Sequence, residues 1–244
     1  GNLFQLLMLD TRSIYRDEQL NIEDYFDGNR INESKYKKAL SIDRKLIGLE
    51  QILWIKNNLN KKFKWSIIGQ QVLMAQVYLP KIFANMNKKI LPDYLHKYLK
   101  IGGVNVPYNT DAWDGYPRER ERLFKELEKA NSVLVLTGDT HNSWLNNLYD
   151  KNNNFIGVEI GTPAISSPNT IDTFGSLTDD IEKGFIKENK NVKWTEGKHK
   201  GYTLLKLTKD KSEVSFVYVN TVKSKVYEVI DSNKFNVKPN TPII

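Results

Sequence analysis

Cysteine is absent from all 244 residues. That removes disulfide frameworks and thiolate metal ligands, and with them any reading of the redox compartment. Long apolar runs are missing as well. None approaches the roughly 18 residues a membrane helix needs, so no membrane partner is expected, and no signal-peptide pattern opens the chain. Histidine is scarce, at three residues, which leaves imidazole chemistry few places to sit. Runs of five or six basic residues are lacking, although 36 Lys+Arg against 29 Asp+Glu give a formal charge of +7. Such a balance suits an anionic substrate or a polyanion, but the lysines are dispersed and no basic–aromatic repeat accompanies them. A nucleic-acid-binding module is therefore not expected. Repeats, low-complexity stretches and linkers are also absent, so residues 1–244 are expected to form a single domain.

What is present is a globular composition, 40% hydrophobic and 27% charged. Leu3 to Leu9 is almost wholly apolar and predicts a strand buried on both faces. Residues 13–44 are charged and weakly periodic, and predict an irregular excursion. A helix is expected over 46–60, with Leu46, Leu49, Ile52 and Leu53 on its inner face. Trp65 to Ile68 predicts a short strand. Residues 71–112 show little pattern, and Leu79-Pro80 and Leu91-Pro92 interrupt any helix there. Pro117 suits a first helical position, opening a helix to about Ala130 that buries Leu123, Phe124 and Leu127. Val133–Leu136 and 155–160 predict further strands, with a turn at Lys151–Asn154. Thr203–Leu207 and Glu213–Val219 alternate as antiparallel strands around Lys209-Asp210-Lys211, and Val226–Ile230 adds one more. Buried strands interleaved with helices, followed by antiparallel strands, indicate an α/β (α+β) fold of mixed sheets covered by helices.

Three of these strands end in polar residues: Asp10-Thr11-Arg12, Gly69-Gln70-Gln71 and Gly138-Asp139-Thr140-His141. Ligands collect where such strand ends lie side by side. Gly138-Asp139-x-His141 offers a hard carboxylate and a borderline imidazole two residues apart, a donor pair that suits iron, zinc or manganese. The alternative is that Asp139 caps a helix starting at Ser143-Trp144 while His141 is a solvated loop residue. Asp114, in Trp113-Asp114-Gly115-Tyr116-Pro117, is either a helix-capping carboxylate or a metal- or water-holding one, with Trp113 as a pocket wall. Arg12 follows a core strand and needs a partner. It either pairs with Asp10 or Asp139 or binds a phosphate oxygen bidentately. His96 and His199 sit in contexts that carry less chemistry.

Taken together, these clusters resemble the alkaline phosphatase D family. Leu9-Asp10-Thr11-Arg12 is followed by Arg16-Asp17, then by Gly48 and Gln51 ahead of Trp54, and by Trp65 to Val72. Next come Trp113 to Pro117 with Glu119-Arg120, then Leu136 to Trp144, and finally Gly161 to Ser167 and Gly201-Tyr202. The family's order is kept across almost the whole chain. The resemblance implies a calcineurin-like metallophosphoesterase core, with two mixed β-sheets packed face to face and flanked by helices. It also implies metal-dependent hydrolysis of phosphate mono- or diesters at a centre containing iron and calcium, in a secreted or periplasmic setting. On this reading Asp139 and His141 are metal ligands, while Arg12, Gln70 and Asp114 serve phosphate contact, orientation of water or substrate, and calcium or outer support.

Two departures follow. The family's early metal-binding carboxylates, its tyrosine ligand and its asparagine lie upstream of the Leu-Asp-Thr-Arg segment, and that region is missing here. Residues 189–194 also lack the histidine the family commonly carries there. The expectation is a C-terminal portion of a catalytic domain, incomplete at its N-terminus, that needs the upstream part of the same domain to complete the site. The isolated 244 residues are expected to be inactive. A degenerate relative acting as a binding domain and a basic polyanion-binding protein are the alternatives.

Overall fold

The computed structural model describes the backbone of residues 1–244 and every side chain except those of Ile90, Asp231 and Ser232. In chain order the elements are β1 (Phe4–Met8), β2 (Phe26–Asp27), β3 (Arg30–Ile31), α1 (Glu33–Leu40), α2 (Gly48–Asn58), β4 (Trp65–Gly69), α3 (His96–Leu99), α4 (Pro117–Leu127), β5 (Val133–Thr137), β6 (Ser143–Tyr149), β7 (Phe155–Gly161), α5 (Thr170–Phe174), α6 (Thr178–Glu188), β8 (Val192–Glu196), β9 (Lys200–Leu207), β10 (Ser212–Val219) and β11 (Val229–Val237).

A six-stranded mixed sheet has the order β1-β4-β5-β7-β6-β8. Strands β1, β4, β5 and β7 run parallel, and β6 is antiparallel to both β7 and β8. A three-stranded antiparallel sheet has the order β11-β10-β9, and β2 with β3 forms a two-stranded sheet. The α/β class with mixed sheets and flanking helices agrees with the sequence. The number of sheets does not, since three are present rather than two. The additional one is the β2–β3 hairpin inside the supposedly irregular excursion. Its turn holds Gly28 at a φ of 60°, a conformation that glycine adopts without a Cβ clash.

Period-two alternation decides which side chains meet. On one face of the large sheet Leu7, Ile68, Val133, Val135 and Trp144 join a core with Ile52 and Ile55 of α2, Leu123, Phe124 and Leu127 of α4, and Ile181 and Phe185 of α6. On the other face Ile67, Leu134, Leu145, Val158 and Ile160 join Val214, Phe216 and Tyr218 of β10 and Val237 of β11. Burying a large apolar side chain is worth about 1.5–3 kcal/mol, so these two layers dominate the fold's stabilisation.

Strand β1 departs from the expectation of two buried faces. Leu7 is buried, whereas Phe4, Leu6 and Met8 are 47%, 50% and 62% exposed. The reason is its position at the sheet edge, where the three-stranded sheet leaves one face uncovered. In α2 the inner face is Gly48, Ile52 and Ile55, while Leu49 and Leu53 are turned outward. Leu46 is buried ahead of the helix rather than within it. Ser143 begins a strand and not a helix, which removes the helix cap considered for Asp139. The last strand, β11, starts at Val229, later than the sequence suggested.

Candidate active site

The parallel strands β1, β4 and β5 are neighbours, so their C-terminal ends open at one edge of the sheet. Leu9 N–H donates to Gly69 O and Gln70 N–H to Leu136 O, which carries the pairing just past the strands. The polar loops beyond them are tied together by amides. Gln51 of α2 accepts from Asp10 N–H at 2.8 Å and donates to Asp10 O at 2.8 Å. Gln71 Oε1 accepts from Thr11 N–H at 2.9 Å and from Thr11 Oγ1 at 2.5 Å. Thr11 is buried while Gln71 is exposed, and the clamp between them fixes where Arg12 emerges.

Asp10 does not pair with Arg12's side chain. Its carboxylate accepts the backbone N–H groups of Arg12 and Ser13, which hold its pKa below the ordinary value. The Arg12 guanidinium instead spans two carboxylates. Nη1 donates to Asp111 Oδ1 at 2.9 Å, and Nη2 lies 2.8 Å from Asp111 Oδ2 and 2.6 Å from Asp139 Oδ1. The bond to Asp111 is the main reason the Arg12 pKa rises, with Asp139 adding to it. Arg16 braces Asp111 from the other side, its Nη2 lying 2.5 Å from Asp111 Oδ1 and 2.8 Å from Asp111 O. Asp111, Arg16 and Gln71 were not singled out as site residues from the sequence. Asp111 lies three positions before Asp114, and nothing local separates the one that reaches Arg12 from the one that does not.

Gly138 releases the chain from β5, and both Asp139 and His141 then adopt left-handed backbone, with φ of 68° and 65°. Such a conformation costs a side-chain-bearing residue on the order of 1–2 kcal/mol, and backbone strain of this kind concentrates at functional sites. His141 Nδ1 lies 2.6 Å from the carbonyl oxygen of Pro168. A carbonyl can only accept, so Nδ1 carries the hydrogen, and the other ring nitrogen, Nε2, is left as the lone-pair donor when the ring is neutral.

A groove of about 700 Å³ opens beside these loops, lined at its polar end by Arg12, Gln70, Gln71, Gly138 and Asp139. His141 is not among its lining residues. Gln70 contributes to the wall but folds back on itself. Its Nε2 donates to Val72 O, while its Oε1 accepts from Val72 N–H at 3.1 Å and from Trp113 Nε1 at 3.2 Å. Trp113 is buried and forms no pocket wall.

Asp114 is not brought to the groove. It is buried, its Oδ1 lies 2.7 Å from Arg120 Nη1, and its Oδ2 accepts from Val77 N–H at 2.9 Å. Burial raises its pKa, opposed by Arg120 and the Val77 amide. Glu159 is the other fully buried acid there. It accepts from Met74 N–H at 2.5 Å, from Ala75 N–H at 3.0 Å and from Asn146 Nδ2 at 2.9 Å. Asp114 and Glu159 therefore fasten the segment 74–77 that follows the Gln70 loop.

The donor set of the Gly138–His141 loop, of which only Asp139 lines the groove, fits a metal only in part. Asp139 and His141 offer oxygen and nitrogen of the right chemistry, but no group of three or more His, Asp or Glu able to hold a metal is found among the described residues.

Comparison with known proteins shows the family to which this chain belongs. The chain is 34% identical over 217 residues to alkaline phosphatase D of Bacillus subtilis (strain 168), covering 85% of this chain and 31% of that protein. A solved structure of PhoD superposes with a TM-score of 0.66 at 26% identity, covering 98% of this chain and 40% of the other. The chain thus spans about a third of the curated relative's length. The family profile described as PhoD-like phosphatase matches residues 1–216. The chain belongs to the PhoD-like phosphatase family, within the metallophosphoesterase superfamily.

Proposed function

We propose that these 244 residues supply the arginine-bearing face of a metal-dependent phosphate-ester hydrolase whose remaining ligands come from a part of the protein outside them. The observation that carries the reading is the Arg12 guanidinium, beyond the end of β1, held by Asp139 beyond the end of β5 and by Asp111 from the loop before Trp113. A guanidinium held in that way presents N–H groups to a phosphate oxygen in a fixed orientation. Asp139 and His141 are the ligands this chain offers to an iron- and calcium-containing centre. The Pro168 carbonyl sets the His141 tautomer, an outer contact of the kind that orients metal-bound imidazoles. Such a centre, when bound, supplies positive charge that polarises the phosphoryl oxygens. Arg12 adds to that charge on the equatorial oxygens. Gln70 holds the Val72 amide and the Trp113 ring, and acts on the site through the shape of its loop. Asp114 acts through segment 74–77. Export from the cytoplasm, implied by the family resemblance, belongs to the same reading.

With Asp139 and His141 as the two donors, the 244 residues by themselves are expected not to hydrolyse phosphate esters. The test is an assay of a phosphodiester with added iron and calcium. Turnover by this chain that disappears in Asp139→Ala would refute the need for further ligands. Lack of any metal-dependent turnover in a polypeptide extended to the length of the relatives would refute the hydrolase reading itself and favour a binding role.

A further inference from the structure

A second cavity, of about 160 Å³, shares the loop after β5 with the groove. Gly138 and Asp139 line the groove, whereas Thr140 and Asn142 line the cavity. Its other walls come from segment 79–108, from Trp144 of β6, and from α5 and α6. Six of its rings, Phe83, Tyr98, Tyr108, Trp144, Phe174 and Phe185, form a connected, mostly edge-to-face array with centroids 5.3–6.3 Å apart. Among the described residues no charged side chain lines it. Its polar groups are phenols, threonine hydroxyls and the Asn142 amide. Burial pushes the Tyr98 and Tyr108 phenols up in pKa, so both stay protonated and neutral. Tyr94, 64% exposed, stands where the cavity meets solvent. The cavity wall is also fastened to the site loop. Asn142 Nδ2 donates to Thr170 Oγ1 at 2.8 Å, and Thr170 N–H donates to Asn142 Oδ1 at 3.3 Å. The Pro168 carbonyl that holds His141 lies two residues before that clamp.

We propose that this cavity seats the organic group of the ester substrate, as a single neutral aromatic ring, while the phosphoryl group lies at Arg12 and Asp139. The ring's role as part of an ester rests on the phosphatase reading; the cavity's affinity for a ring does not. Size limits the occupant, since a cavity of about 150 Å³ is what one benzene ring fills. Charge limits it too. An ionised group would lose its water there without gaining a countercharge. A sugar would leave several hydroxyls unpaired against the aromatic walls. A flat ring instead adds edge-to-face contacts to an array already built that way. Position completes the argument. Asp139 and Thr140 are consecutive, so groove and cavity meet at one peptide unit with Cα atoms about 3.8 Å apart. Occupants of the two are therefore joined by a short link, such as one ester oxygen.

The test uses the polypeptide extended to the length of the relatives, with iron and calcium. Benzylphosphonate, whose methylene stands in for the ester oxygen, is compared with methylphosphonate as an inhibitor of phosphodiester hydrolysis. The expected inhibition constant is at least about tenfold lower for benzylphosphonate. Thr173→Trp fills the cavity from α5, and Tyr94→Ala removes a ring from its mouth. Each is expected to bring the ratio of the two constants towards one. Tyr94 is exposed, so its removal leaves the core intact and keeps the test open should Thr173→Trp not fold. Equal inhibition by the two phosphonates in the parent would overturn the inference, as would a tenfold preference that survives in every variant that folds. Ring binding is read separately, without metal, from the methyl chemical shifts of Thr140, Thr170 and Thr173 on addition of benzyl alcohol. Shifts at these threonines in a polypeptide that hydrolyses no phosphodiester leave the ring site standing and fail the phosphatase reading. Hydrolysis with no such shifts and no preference between the phosphonates does the reverse.

Discussion

The Arg12 guanidinium and the Asp139 carboxylate meet at 2.6 Å across 127 positions of sequence, one leaving β1 and the other leaving β5. Each is about a third exposed. A pair this wet contributes little to stability, roughly 0–1 kcal/mol. Its interest is chemical, since it sets a cation beside a carboxylate proposed to bind metal.

Replacing Arg12 separates these two roles. In the complete enzyme, Arg12→Ala is expected to lower kcat/KM by about 10²–10³, the usual cost of removing a donor aimed at developing charge. Arg12→Lys should recover little of it, because a point charge cannot bridge Asp111 and Asp139 as a fork does. Unfolding free energies from urea titration within about 1 kcal/mol of the parent should accompany the loss. Full activity in Arg12→Lys would end the bidentate argument.

His141 tests the backbone. At a φ of 65° any side chain costs energy that glycine avoids. Chemical denaturation should therefore find His141→Gly more stable than His141→Ala by about 1 kcal/mol, although both lack the imidazole. Equal stabilities would mean that the loop relaxes when the ring is removed and that no strain resides there.

Asp114 and Arg120 form a buried ion pair at 2.7 Å. Asp114→Ala leaves Arg120 uncompensated in the interior and is expected to cost about 3–5 kcal/mol. Adding Arg120→Met to it should restore part of that loss, because the stranded charge is gone. If the double variant is less stable than the single one by the full cost of a second core mutation, the charge itself is not what matters.

Glu159 predicts a pH dependence. Burial raises its carboxyl to about 7, against the hydrogen bonds that favour its charged form. In the window from the ordinary glutamate range to about 7, the folded protein keeps a proton that the unfolded chain has released. Stability is therefore present at low pH in this window and falls as pH rises, by about 1.4 kcal/mol per unit at most from this one group. Glu182, half-buried and also raised to about 7, adds to the same trend. Urea titrations at several pH values should show a shallower slope in Glu159→Gln than in the parent, and parallel slopes would rule Glu159 out as the source.

Local sequence determined the polar strand ends and part of the element list, but not the β2–β3 hairpin, α1, β6, α5, α6 or β8. Alternation over five to eight residues sets strand faces, a proline at a helix start sets α4, and Lys209-Asp210-Lys211 sets the turn from β9 to β10. Those signals lie within one element, so they are readable before any neighbour is known. They also placed Asp139, His141, Arg12 and Gln70 at loops expected to converge, and the structure brings Arg12, Gln70 and Asp139 to one groove. What required tertiary structure was the choice of partners. Asp111 and Asp114 lie three residues apart, yet one reaches Arg12 at the surface and the other is enclosed with Arg120. Likewise, Leu3 to Leu9 reads as a doubly buried strand, but only the sheet order shows that β1 is an edge with one apolar face uncovered. The physical reason is the same in both cases: charge pairing and burial depend on which distant segments become neighbours, and no spacing along the chain encodes that.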